Sequence, residues 1–395
     1  MQAAAQPSPS LVHSLQDRLP PVIVIAYQAT VIAAMLIILF LGLRWMRQPF
    51  LGAFVEHTRV INTVTPVQPD SWALQRYDLP FGYQIVALND QPVASVQEIQ
   101  AFLSRQNVGD VVVVATVGPD GARQDFSTEL QTFPFADRLT FFYAPYAIAW
   151  VYLLASLYVF ALRRRDPAGR AFALFTAAAA FCMAGLFDLY TTNVFPYFWT
   201  FSVAVCAGAL FNLAFVFPKE LRLVARYPLL RWLGYAPTLL LTLIAFPTIF
   251  SETQPRAYAV AWRYAFVYLA LAGIFFVVWA AIRRYRSTSP IEREQARLIL
   301  WGSGIAFLPL VVWMLSTAVN LSLSFSAVLF LPLAVFPVAT GYAIIRYRLL
   351  NLDYFLSRGV LYAALMLLAV VGYALLVSGL SLLLGDRLRP TQPLV

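Results

Sequence analysis

Two histidines and two cysteines are all that the 395 residues offer of the side chains that most often carry catalysis or hold metal. His13 and His57 precede most of the apolar runs, and Cys182 and Cys206 lie inside them, so the spacing supports no disulfide framework, CxxC pair or zinc cluster. A zinc protease needs a helical His-Glu-x-x-His pair, which the sequence lacks. Gly302-Ser303-Gly304 has the form of a serine-protease turn, but no histidine follows His57 to take the serine's proton. These patterns predict no catalytic residues, no metal and no cofactor. What remains is a candidate intramembrane polar site, because ionisable groups in apolar segments are the default places to look for function. Asp188 is the one acid clearly inside such a segment, with Asn212 and Asn320 as the notable amides. Asp188 either meets headgroups and water at an interface or pairs with an arginine, Arg256 or Arg263, to close a vestibule; the site is therefore read as Asp188, Arg263 and Asn212.

The elements that must position these groups follow from composition. The chain is 61% hydrophobic and 12% charged, with a mean hydropathy of +0.71. Soluble domains run near half apolar and a quarter charged, so a soluble globular fold is excluded. A bilayer core of about 30 Å needs roughly 20 apolar residues of helix. Nine stretches qualify, near 22–43, 141–162, 171–190, 198–217, 233–250, 265–282, 298–319, 325–345 and 360–384. The first is too long for a signal-peptide core and lacks a small-residue cleavage site, so it reads as a retained anchor. Trp199, Trp232, Trp262 and Trp301 fall near the ends of these runs, where aromatic belts form.

Charge gives the orientation. The net charge is +9, yet the stretch from Arg44 to Arg138 has ten acids against seven basic residues. The excess arginine sits in short loops, at 163–170, 219–231, 283–297 and 346–358, a pattern of membrane orientation rather than nucleic-acid binding. Those loops are expected to be cytoplasmic, with the N-terminus inside and the acidic stretch outside; Arg44 and Arg47 run against the rule. Pro290 and Glu292 suit the first turn of a helix, and the alternative for Glu292 and Glu294 is a docking surface for a cytoplasmic domain. Arg346, Arg348 and Arg358 flank Asp353 and suit anionic lipid headgroups.

Between the first two runs the period changes to that of strands. Arg59–Val64, Tyr83–Leu88 and Val111–Val117 alternate or are β-branched. Ser95 followed by Glu98 has the capping-box arrangement for a helix to Leu103, and Asn89-Asp90 and Gly118-Pro119-Asp120-Gly121 are turns. This order over about 80 residues resembles the PDZ domain as bacteria use it. The resemblance implies that Leu51-Gly52-Ala53-Phe54 is the carboxylate-binding loop and that the helix supplies Val96 and Ile99 to a groove where an extended peptide adds as a strand. Two departures stand against peptide capture: Gly82-Tyr83 replaces the usual Gly-Asp, and Ala53 puts a Cβ where glycine is common. A rigid outer module is the alternative.

Arg163-Arg164-Arg165-Asp166-Pro167-Ala168-Gly169-Arg170, Gly185-Leu186-Phe187-Asp188-Leu189-Tyr190, Leu213–Pro218, Glu294–Arg297 and Tyr342–Leu350 together resemble the multi-spanning input region of bacterial membrane sensor histidine kinases and related regulators. The expected fold is an α-helical polytopic membrane protein with about nine transmembrane helices and a small α+β PDZ-like extracytoplasmic domain. Its parts are a cytoplasmic N-terminus and first helix (1–48), the PDZ-like domain (49–135), an eight-helix membrane sensor region (136–385) and a tail (386–395) that stops before a further helix. The resemblance implies sensory input to a signal-transduction protein in the bacterial plasma membrane. Its partners would be the bilayer, an extracytoplasmic peptide or protein C-terminus and a second copy. Neither a phosphoacceptor histidine nor an ATP-lid pattern is present, so this chain is not expected to be an enzyme. A membrane scaffold for an envelope partner is the alternative, and a transporter the third reading, although no internal repeat supports it.

Overall fold

The computed structural model describes residues 11–346 except 63, 78–81, 252–253, 256 and 319–325, and omits the side chains of 11–18, 228 and 314–318. The ninth apolar run, the tail, Arg256, Asn320, Arg348, Asp353 and Arg358 lie outside the described residues.

Among the described residues eight helices are long and apolar enough to cross a bilayer: Leu19–Trp45, Phe135–Arg163, Pro167–Tyr190, Pro196–Val216, Leu229–Thr248, Ala257–Arg286, Pro290–Trp313 and Ala327–Arg346. They coincide with the first eight runs of the sequence. Local chemistry sets several of their ends. Asp166 accepts from the amide of Ala168 at 3.1 Å and Pro167 occupies the first turn of the third span, a pairing that satisfies an otherwise orphaned donor. Pro196 stands in the first turn of the fourth span, and Pro290 opens the seventh. Gly302-Ser303-Gly304 falls in mid-helix in that seventh span and makes no turn.

The third and fourth spans form the centre, with 72% and 78% of their most apolar windows buried, against 22% for the fifth and sixth. Small residues permit this closeness. A Cβ on Gly169 would lie 2.5 Å from the Arg163 carbonyl oxygen, and one on Gly208 would lie 2.6 Å from Thr238 Oγ1. The outward faces of the fifth and sixth spans carry Leu239, Leu240, Leu243, Ile244, Val267, Leu271 and Ile274, all more than half exposed, which is a lipid-facing pattern. Side-chain hydrogen bonds fix the first span against the centre. Tyr27 Oη donates to Ser202 Oγ at 2.7 Å, Gln28 Nε2 to Ser156 Oγ at 2.8 Å, and Ser156 Oγ onward to the Ala173 carbonyl at 2.6 Å.

Between the first two spans the chain forms a four-stranded antiparallel sheet in the order β2-β1-β3-β4, with β1 Gln84–Leu88, β2 Gln91–Pro92, β3 Val111–Val117 and β4 Arg123–Glu129. Asn89 and Asp90 both have positive φ, as the two-residue β1–β2 turn requires. Ile85 and Leu88 of β1, Val112 and Val114 of β3, and Val96, Ile99 and Leu103 of the helix Val96–Leu103 share one core. Ser95 Oγ caps that helix by accepting from the Glu98 amide at 3.2 Å. The return bond of the box is displaced by one residue, since Glu98 accepts from the amide of Ala94 at 2.7 Å. The strand expected at Arg59–Val64 is reduced to single bridges at Val60 and Ile61. Arg59 has a φ of 64°, so the chain turns there and the segment closes a tight hairpin, Val55 facing Ile61, instead of running on as a strand.

Candidate functional site

The sheet domain and the helical bundle meet through aromatic rings. Phe50, Phe54, Trp72 and Phe133 come from the small domain and its return; Trp45, Phe141, Phe187 and Tyr190 come from the first three spans. Phe54 lies at the middle, with ring centroids 4.8 Å from Trp72, 5.6 Å from Phe133 and Phe141, 5.9 Å from Tyr190 and 6.1 Å from Phe187. Most of these pairs are edge-to-face or tilted, the arrangement that the ring quadrupole favours. Phe50, Phe54, Trp72 and Phe133 therefore belong to the apolar core of the membrane bundle, not to that of the sheet.

Polar groups ring this plug. Trp72 Nε1 and the Val67 amide donate to the two carboxylate oxygens of Asp137, at 2.9 and 2.8 Å. Gln100, from the domain's helix, donates to the Thr191 carbonyl, Thr58 Oγ1 to the Pro255 carbonyl at 3.0 Å. The hairpin of residues 55–61 carries Glu56 and His57 into the contact, each only 6% exposed. Glu56 accepts from Asn62 Nδ2 at 2.7 Å, and burial pushes its carboxyl up to about 7. His57 sits edge-on to Phe250 and Tyr258, with centroids 5.4 and 4.6 Å away, and neither ring nitrogen has a hydrogen-bond partner among the described residues. Burial pulls its imidazole down to about 4. Tyr258 Oη is 2.7 Å from Thr200 Oγ1, which ties the same socket to the fourth span.

The residues singled out from the sequence are distributed differently from a groove or a vestibule. Leu51, Ala53, Val96 and Ile99 are interior to the sheet domain, and Phe54 is in the plug. Gly52 has a φ of 86°, and a Cβ there would lie 2.6 Å from the Leu74 amide nitrogen, so the segment Ala73–Gln75 closes over the loop. The Gln75 amide donates to the Gly52 carbonyl at 3.2 Å. These six residues thus pack the domain and its seam, and none lines an open channel among the described residues. Asp188 is buried and caps the turn after the third span: it accepts from Thr192 Oγ1 and from the amides of Val194 and Phe195 at 3.1 and 2.8 Å. Among the described residues no arginine pairs with it, and Arg256 lies outside them. Arg263 is exposed on the sixth span, and Asn212 donates to Tyr235 Oη at 3.4 Å, so the structure does not bring the three together. Trp199 is buried and donates to the Cys182 carbonyl at 2.9 Å instead of joining an interfacial belt, whereas Trp232 and Trp301 are exposed.

Nothing local in the sequence marks Glu56 and His57 as buried site residues at a hairpin tip. The sign in the sequence is a Glu-His pair directly after the apolar run Leu51–Val55. At the other ends of the spans, Glu292 pairs with Lys219 at 3.1 Å and accepts from Ser287 Oγ at 2.7 Å, and Arg231 pairs with Glu220 at 2.6 Å. Those contacts hold neighbouring loops to one another. Among the described residues no three of His, Cys, Asp and Glu converge as a metal site. The arrangement buries two titratable side chains, Glu56 and His57, in the contact between sheet domain and bundle. In comparisons with known proteins, no family model, no curated protein and no solved structure matches this chain.

Proposed function

We propose that the chain is a membrane-embedded sensory input module of a bacterial signal-transduction protein of the histidine-kinase type. Its PDZ-like domain lies outside the plasma membrane, and its N-terminus and arginine-rich loops lie inside. The observation that carries this reading is the plug around Phe54, where a small soluble-type domain shares one apolar core with the first three spans. A domain tethered only by its linkers could move without consequence for the bundle; this one cannot shift without repacking Phe141, Phe187 and Tyr190. The basic ends of the spans support the assigned orientation. The burial of Leu51, Ala53, Val96 and Ile99 favours sensing through this contact over capture of peptide tails by a scaffold.

The test compares two states of the protein in lipid nanodiscs with spin labels at Arg165→Cys and Arg286→Cys, native cysteines replaced. In one state a Gln100→Cys/Thr192→Cys disulfide holds the domain down; in the other Phe54→Ala loosens it. The reading expects different distance distributions at the basic ends. Identical distributions refute it, because a signal must bind two membrane arrangements unequally to be transmitted.

A further inference from the structure

The eighth span is built in two halves. Ala327–Ala334 winds as a 3₁₀ helix and Val335–Arg346 as an α-helix. Eight residues is long for a 3₁₀ run, since few exceed three or four, and Pro332 and Pro337 lie on either side of the joint. Pro337 has no N–H, so the carbonyl four residues before it, that of Leu333, lacks its α-helical donor. The replacement comes from another helix. Tyr152 Oη, on the second span, donates to the Leu333 carbonyl at 3.0 Å, and both residues are buried. A second bond ties the same two helices further along, from Arg163 Nη2 to the Ile345 carbonyl at 2.9 Å. The two donors are eleven residues apart on the second span and the two acceptors twelve apart on the eighth, about 17 and 18 Å of helix. The two spans therefore run side by side in one register.

The halves of the eighth span are held unequally. In the α half, a Cβ on Gly341 would lie 3.1 Å from Val159 Cγ2 and 3.3 Å from the Phe172 ring. Phe336 meets Phe307, Phe175 and Phe276, with ring centroids 5.3, 5.7 and 6.1 Å away. Seven of the twelve residues of the α half are buried, against three of eight in the 3₁₀ half, where Val328 is 64% exposed.

We propose that the eighth span hinges at Ala334–Val335 and that Tyr152 is the clasp of this hinge. With the phenol on the Leu333 carbonyl, the 3₁₀ half is held against the second span. Loss of that bond leaves a buried acceptor without a donor, and the 3₁₀ half opens while the α half stays packed. The clasp also links the hinge to the seam with the sheet domain, because the second span carries Asp137, which accepts from Trp72 Nε1, and Phe141, which meets Phe54. A shift of the second span then reaches the eighth at Leu333. This link rests on the sensory reading above; the hinge does not.

The test is hydrogen exchange of the full chain in nanodiscs, read in peptides covering 327–334 and 339–346. Tyr152→Phe keeps the ring and removes the donor. One buried acceptor left unpaired shifts an opening equilibrium roughly 5- to 100-fold, so exchange in 327–334 is expected to quicken by that factor while 339–346 keeps its native rate. Pro337→Ala supplies the missing amide, and the Tyr152→Phe/Pro337→Ala double variant is expected to return 327–334 to within about twofold of the native rate. A change below about twofold in Tyr152→Phe, equal acceleration of both segments, or a double variant as fast as Tyr152→Phe would overturn the hinge and its clasp. Should the double variant fail to insert, the contrast between the two segments in Tyr152→Phe decides. Phe54→Ala tests the link separately: exchange in 327–334 is expected to quicken, and a native rate there while Tyr152→Phe remains fast would overturn the link to the seam.

Discussion

Replacing Phe54 by alanine separates the two cores that the structure keeps distinct. The side chain is 1% exposed and has seven aromatic neighbours within 6.3 Å, ring centre to ring centre. Truncation of a buried phenylalanine costs about 3 to 5 kcal/mol, from lost transfer energy and the cavity left behind. The plug is rigid on both sides, since Trp72 is tied to Asp137 and Trp45 is backed by Phe133 and Phe187, so little collapse is available. The upper half of the range is expected, and about 4 kcal/mol is close to a thousandfold in an opening equilibrium. Hydrogen exchange in nanodiscs should show faster amides at 48–56 and 131–137, while β1 and β3 keep the wild-type rate, because Ile85, Val112 and Val114 pack in the other core. Ile85→Ala serves as the converse control and should loosen β1 and β3. A cost below about 1 kcal/mol, or equal acceleration across the sheet, would refute the claim that Phe54 belongs to the bundle.

Two further substitutions test the neighbouring contacts. Asp188→Ala takes away the acceptor of the Val194 and Phe195 amides in a part-buried turn and should cost about 1 to 3 kcal/mol in thermal or denaturant unfolding; a change within about 0.5 kcal/mol would contradict the capping role. Gly52→Ala meets both an unfavourable φ and the Leu74 backbone at 2.6 Å, so the near-ultraviolet signal of the sheet domain should melt at lower temperature while helical content persists. An unchanged transition would show that the loop yields more readily than its packing implies.

The spans were readable because each needs only local information: a long apolar run and a proline, aspartate or arginine at its end. The first eight agree with the helices to within several residues. The hairpin turns and the helix cap were also legible, since Asn89-Asp90, Gly121 and Ser95 act on their own neighbours. What the sequence hid is long-range. The groove assigned to Leu51–Phe54 and Val96–Ile99 rested on pattern, and the pattern does not record that Ala73–Gln75 fold over Gly52. Asp188 reads as an interfacial or paired charge in the sequence because the groups it accepts from, two amides and a hydroxyl after the span, come within reach only once the chain turns back at Thr191–Asn193. Glu56 and His57 illustrate the same limit: the burial of a hairpin tip is decided by Phe250 and Tyr258, which are remote in the chain.

The plug also dictates an order of manufacture. Phe50, Phe54 and Trp72 leave the ribosome well before Phe187 and Tyr190, which arrive only with the third span. The sheet can close around its private set of valines and isoleucines in the meantime, but its aromatic face stays bare until the third span is made. Biogenesis of this protein therefore passes through a stage in which the sheet domain is folded and still sticky, and completion of the third helix is the event that hides its aromatic face.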